Sequence, residues 1–159
     1  MIIERTRDID LINTIMFDDD IFDTVSEDGA TKDRQRFDVY NEYWLKVLVN
    51  NELVGLYNLH HTNKSTLEAH VHILKKFRGE HSVNSILKVY EWLVENCGSE
   101  VVKFISNIPV IYPNVLRFCL SNGFKHEGVN RKSYLKNGSI HDVDMVGITK
   151  EEMKEVCHG

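Results

Sequence analysis

The stretch Lys75-Lys76-Phe77-Arg78-Gly79-Glu80-His81-Ser82-Val83 decides how this 159-residue chain is read, because it joins a β-like run to an amphipathic helix. Before it, Thr66 to Leu74 alternates as a strand, with Glu68, His70 and His72 on one face and Ala69, Val71 and Ile73 on the other. After it, Val83, Ile86, Leu87, Tyr90, Leu93 and Val94 recur at helical spacing, opposite Asn84, Lys88, Glu91 and Glu95. A strand that turns into a helix leaves first-turn amides without acceptors, and the helix dipole adds to their pull on anions. Arg78, Lys75 and Lys76 place positive charge around those amides. That suits a diphosphate, and it equally suits an ordinary turn with solvated bases.

Working outward, Asp8 is placed to cap a helix whose apolar side is Leu11, Ile12, Ile15 and Met16, behind a β-like start at Met1 to Glu4. An acidic segment follows from Phe17 to Asp28, and Phe17, Ile21, Phe22 and Val25 within it form a helix face if Asp18 to Thr24 is helical. Tyr43 to Val49 and Leu53 to Leu59 read as a hairpin about Asn50-Asn51-Glu52. Beyond the central helix, Val101 to Ile108 is a short apolar strand covered on both faces. Pro113 opens a further helix that Gly123 ends, and Phe124 to Lys136 with Ser139 to Ile148 form a hairpin about Asn137-Gly138.

Composition sets the outer limits. With 42% hydrophobic and 27% charged residues the chain is expected to fold as one soluble α/β domain, without repeats, at residues 1–159. No apolar stretch approaches the ~20 residues that cross a bilayer, and the start lacks the order of a secretory signal, so a cytoplasmic location without membrane contact is expected. Cys97, Cys119 and Cys157 are odd in number and widely spaced, which argues against a disulfide framework or a structural zinc site. The net charge of −5 is local: six acids and no base lie between Phe17 and Asp28, and the remainder has 18 acids against 19 bases. No basic stripe suited to nucleic acid is present.

The order strand, Phe77-Arg78-Gly79, helix, strand, then a helix ending in Asn122-Gly123-Phe124, and a closing hairpin through Asp144-Met145 resembles the GCN5-related N-acetyltransferase superfamily from Tyr43 to Ile148. Ile108-Pro109 through Tyr112-Pro113-Asn114-Val115 is also similar to acetyltransferase-like proteins encoded by phages, some tied to head assembly. The resemblance implies a mixed, mostly antiparallel sheet with helices on both faces and a splayed strand pair. It divides the domain into an acceptor-side segment at 1–40, a cofactor-binding core at 43–124 and a C-terminal hairpin at 124–149. It further implies acetyl-CoA as cosubstrate, its pantetheine along the backbone of Ile73 and Leu74. Its pyrophosphate would lie on the turn of Arg78, Gly79, Glu80, His81, Ser82 and Val83, with Asn114 also near the cofactor.

The family turn runs Gln or Arg, two residues, Gly, one residue, then Gly or Ala, whereas here His81 and Val83 carry side chains where the pattern keeps room. Glu68 stands where family members carry a proton-accepting carboxylate, and either Glu68 or His70 serves as base on this reading. The usual acid, a Tyr four residues before the Gly of the Gly-Phe pair, is replaced by Cys119. Cys119 is either that acid or a core thiol, Tyr112 is its rival, and Tyr134 is a weaker one. Glu68, His70 and His72 could together hold a divalent metal, but a row on one strand rarely converges, so none is expected. The acidic segment would attract a cationic amine such as a lysine side chain, a protein N-terminus or a polyamine. The alternative is a protein that keeps the fold without turnover, in a binding or phage head-assembly role with a virion or host partner, while exposed strand edges also suit a homodimer.

Overall fold

The computed structural model describes residues 1–159. Seven strands, β1 (Ile2–Arg5), β2 (Tyr43–Val49), β3 (Glu52–Asn63), β4 (Thr66–Ile73), β5 (Lys103–Pro109), β6 (Lys125–Lys136) and β7 (Ser139–Thr149), form one sheet in the order β1-β2-β3-β4-β5-β7-β6. The β1–β2, β2–β3, β5–β7 and β6–β7 pairs are antiparallel, and β4–β5 is parallel. Five helices complete the chain: α1 (Ile9–Met16), α2 (Asp19–Val25), α3 (Glu80–Asn96), α4 (Pro113–Ser121) and α5 (Lys150–His158). Two compact units divide it, one of residues 1–60 and 69–88, the other of 61–68 and 89–159.

In the first unit the Asp8 carboxylate accepts from the amides of Asp10 and Leu11, both at 3.1 Å, and so starts α1. Such a cap stabilises a helix by about 1 kcal/mol. The device recurs ten residues later, where Asp18 accepts from Asp20 and Ile21 at 3.1 and 3.2 Å and starts α2. Ile12, Ile15, Met16 and Ile21 then bury against Trp44 and Leu56, with Phe37, Val39 and Leu74 packed at the margin. The hairpin turn between β2 and β3 is Asn50-Asn51, both at positive φ (50° and 64°), a conformation that Asn tolerates better than most residues.

In the second unit Phe104 and Ile108 of β5 are buried, in register with Ile148 and Asp144 of β7. The expectation that β5 is covered on both faces is not met, since its remaining residues are half-buried or exposed. Thr66–Glu68 of β4 pairs in parallel with Lys103–Ile105 of β5. Gly123 ends α4 at φ 94°, and the Tyr90 hydroxyl donates to the Asn122 carbonyl at 2.8 Å. The sequence reading stopped at Ile148 and missed α5. Its signal was Thr149-Lys150-Glu151-Glu152, a capping box in which the Thr149 hydroxyl accepts from the Glu152 amide and the Glu152 carboxylate from the Thr149 amide.

Gly55 sits in β3 with no room for a side chain. A Cβ there would lie 2.7 Å from Ile73 Cδ1, 2.9 Å from Ile73 Cα and still closer to the His72 carbonyl oxygen. Because backbone cannot give way as a side-chain tip can, Gly55→Ala should destabilise the protein by ~1–3 kcal/mol, read as a lower urea midpoint. An unchanged midpoint would show that β4 can shift away from β3.

Candidate functional site

The chain leaves β4 through a short 3-10 turn at Lys75–Phe77, in which the Phe77 amide donates to the Leu74 carbonyl at 2.8 Å and that of Arg78 to Lys75 at 3.3 Å. Gly79 follows at φ 94°, and its carbonyl accepts from the amides of Ser82 and Val83 at 3.1 and 3.2 Å. As the residue before α3, Gly79 has no side chain with which to cap it. The amides of Gly79, Glu80 and His81 therefore have no acceptor in the protein. Nothing lies within 4 Å of the position that a Cβ on Gly79 would take, so the space beside the turn is open. The two bulky substitutions are accommodated, for the His81 ring packs edge-on against Phe77 at 6.1 Å and Val83 is exposed.

The charges around the turn are already engaged. The Arg78 guanidinium donates through Nε to the Ile73 carbonyl at 3.1 Å and through Nη2 to the Asp20 carboxylate of α2. Lys75 Nζ lies 4.0 Å from the other oxygen of that carboxylate. Lys76 is held on Glu52 at 3.0 Å and over the Phe77 ring at 4.4 Å. Of the two residues expected along the pantetheine, Ile73 thus offers its carbonyl to Arg78, while the Leu74 amide donates to Val54 at 3.0 Å.

On β4 the alternation is as read from sequence, and the first unit adds a residue that the sequence reading missed. His60 of β3 stacks on His70 with ring centroids 5.6 Å apart, and His70 stacks in turn on His72 at 6.4 Å. No spacing rule signals a partner on the neighbouring strand. His72 is the buried end of this ladder, and its Nδ1 has no hydrogen-bond partner. Burial, reinforced by the charge His70 can carry, pushes the His72 pKa down to about 3, so it stays neutral. Glu68 and His70 are half-buried.

Within the second unit, burial pushes the Cys119 thiol up to about 12, which makes it a poor proton donor as well as a poor nucleophile. Cys119 carries out a packing role at the end of α4, where its carbonyl accepts from the amides of Asn122 and Phe124, both at 3.1 Å. Tyr112 precedes Pro113 at the start of α4, half-buried, and its hydroxyl has no partner in the protein. Asn114 is exposed in the first turn of the same helix. Tyr134 lies on β6 opposite His141 of β7.

A half-open pocket of about 200 Å³ lies beside α2, lined by Met16, Phe22, Val25 and Phe37 with Glu27 and Gln35 among its polar groups. Lys32 crosses this region, donating to the Phe17 carbonyl at 2.7 Å and to Asp19 at 2.5 Å, with its ammonium 5.6 Å from the centre of the Phe22 ring.

A protein-family model matches residues 3–158. The chain belongs to the DUF2824 family, described as protein of unknown function. No curated protein matches this DUF2824 member in sequence. Among solved structures it is similar to spermidine N-acetyltransferase from Vibrio cholerae in complex with CoA and spermine, at 17% identity and a TM-score of 0.79 over 96% of this chain and 97% of that one. A chimera of the Vibrio cholerae enzyme matches at 16% identity and 0.78, over 97% and 99%. A protein from Streptococcus mutans matches at 15% and 0.74, over 94% and 99%. At such identities the likeness is one of fold, and the DUF2824 chain has the acetyltransferase fold that its sequence resembles. None of its helices is long and apolar enough to cross a membrane.

The buried His72 makes the stability of this DUF2824 chain depend on pH. Below its ordinary value of 6.5 the unfolded chain takes up a proton that folded His72 refuses down to about 3. Stability should therefore fall as pH drops through that window, by up to ~1.4 kcal/mol per pH unit from this group. Urea unfolding between pH 6.5 and 5, above most carboxylate titration, should show a shallower slope for His72→Phe than for the wild type. Equal slopes would mean that folded His72 accepts the proton.

Proposed function

We propose that the protein is an acetyl-CoA-dependent N-acetyltransferase whose acceptor is a cationic amine. The observation that carries this reading is the turn after β4, where three acceptor-free amides, an open space at Gly79 and the Arg78 fork lie together. Amides at a helix start and a guanidinium are the two groups that bind diphosphate best, and neither requires the Gly-rich pattern if the side chains fold aside. The fit to acetyl-CoA is supported by the solved neighbour that holds CoA and spermine.

Acetyl-CoA supplies an activated acyl group as a thioester. The protein's share of the work is to hold the amine against that carbonyl, take the ammonium proton and return one to the departing thiolate. Glu68 or His70 takes the proton, since both are half-buried on the same face of β4, and the neutral His72 is excluded. Tyr112, with its free hydroxyl, is the acid in preference to Cys119, whose thiol is held protonated too firmly. The pocket beside α2 suits an amine borne on an apolar arm: Phe22 already accepts the Lys32 ammonium on its ring, and Glu27 supplies a carboxylate. A polyamine or a lysine side chain has this form.

The engagement of Arg78 by Asp20 favours a second reading, in which the fold serves binding or phage head assembly without turnover. The two separate in one experiment. Arg78→Ala should weaken acetyl-CoA binding by ~1–3 kcal/mol with little change in melting temperature. Tyr112→Phe should lower turnover with a polyamine acceptor while leaving acetyl-CoA affinity unchanged. Absence of acetyl transfer and of any melting shift at millimolar acetyl-CoA would support the assembly role instead.

A further inference from the structure

We infer that Asp20 is an internal stand-in for phosphate, which holds Arg78 in the free protein and gives it up when a diphosphate arrives. The inference rests on the reading of the β4–α3 turn as an anion site, and adds a residue of α2 to it. The Arg78 stem is aimed by its Nε bond to the Ile73 carbonyl at 3.1 Å, which leaves the outer nitrogens of the fork for one anion. In the free protein that anion is the Asp20 carboxylate, one oxygen on Arg78 Nη2 and the other within 4.0 Å of Lys75 Nζ. One carboxylate thus meets two cations beside three unpaired amides, as a phosphate would. Asp19, the preceding residue, is taken up by Lys32, so it does not share the task.

The consequence follows from where Asp20 sits. It belongs to the first turn of α2, whose next residues include Phe22 and Val25 of the apolar pocket. Exchange of Asp20 for a diphosphate therefore releases one tether of α2, and leaves a carboxylate beside the pocket for an incoming ammonium. The pair is partly exposed, 41% at Arg78 and 33% at Asp20, so it is weak enough to be exchanged. A ligand that binds only the open form has its affinity reduced by the fraction of molecules that are open. A latch closed in nine molecules of ten lowers affinity about tenfold.

Titration calorimetry of the full chain with CoA tests this directly. Asp20→Asn should tighten binding about three- to tenfold over the wild type. Asp23→Asn, which removes the same charge from the same helix, should not. CoA should also raise amide hydrogen exchange in α2 of the wild type but not of Asp20→Asn. Equal affinity of Asp20→Asn and wild type overturns the latch, as does an equal gain in Asp23→Asn, which would reduce the effect to general charge. Failure of all three proteins to bind CoA would instead remove the anion site itself, and the latch with it.

Discussion

Three amides without acceptors, where β4 gives way to α3, are the constraint on which the rest of the molecule's chemistry depends. First-turn amides of a helix are left to water, a capping side chain or an anion, and here the chain supplies no acceptor. Gly79 is the reason, because φ 94° places it where a side chain would be strained and because glycine cannot cap the helix it begins. Arg78, held by the last carbonyl of β4, then brings a permanent cation to the same place. On the proposed reading this turn takes a diphosphate, and in the free protein the Asp20 carboxylate of α2 meets the same cations.

Proton chemistry is graded by burial. Cys119 and His72 are the most deeply placed of the candidate groups, and burial fixes each in its neutral form, the thiol well above neutral pH and the imidazole well below it. Groups fixed in this way pack and orient; they do not exchange protons during turnover. Glu68, His70 and Tyr112 are only half-buried, and His60 stacks on the His70 ring.

Local signals made most of the fold legible. Asp8 announced its helix through the capping chemistry of a short carboxylate, while the same device at Asp18 went unread; Asn137-Gly138 announced its hairpin through tolerance of positive φ, and the switch in hydrophobic period at Gly79 located the strand-to-helix crossing. What was not legible depends on distance in sequence. Asp20 and Arg78 are 58 residues apart, and His60 meets His70 across two strands, so neither pair leaves a periodic trace. The miss at α5 was different in kind, since the Thr149 to Glu152 capping box was present and went unread. His81 and Val83, which carry side chains where the family pattern keeps room, lie against Phe77 and at the surface respectively, with open space beside Gly79.

The central claim is that this turn recognises a diphosphate through main-chain amides and one guanidinium. Calorimetric titration of the wild-type protein with CoA and, in parallel, with a CoA analogue whose diphosphate is replaced by a neutral linker of equal length isolates that recognition. Charge-assisted hydrogen bonds of this kind contribute ~1.5–3 kcal/mol each, so CoA should bind more than about tenfold more tightly. Equal affinities, or no binding of CoA at all, would contradict the claim.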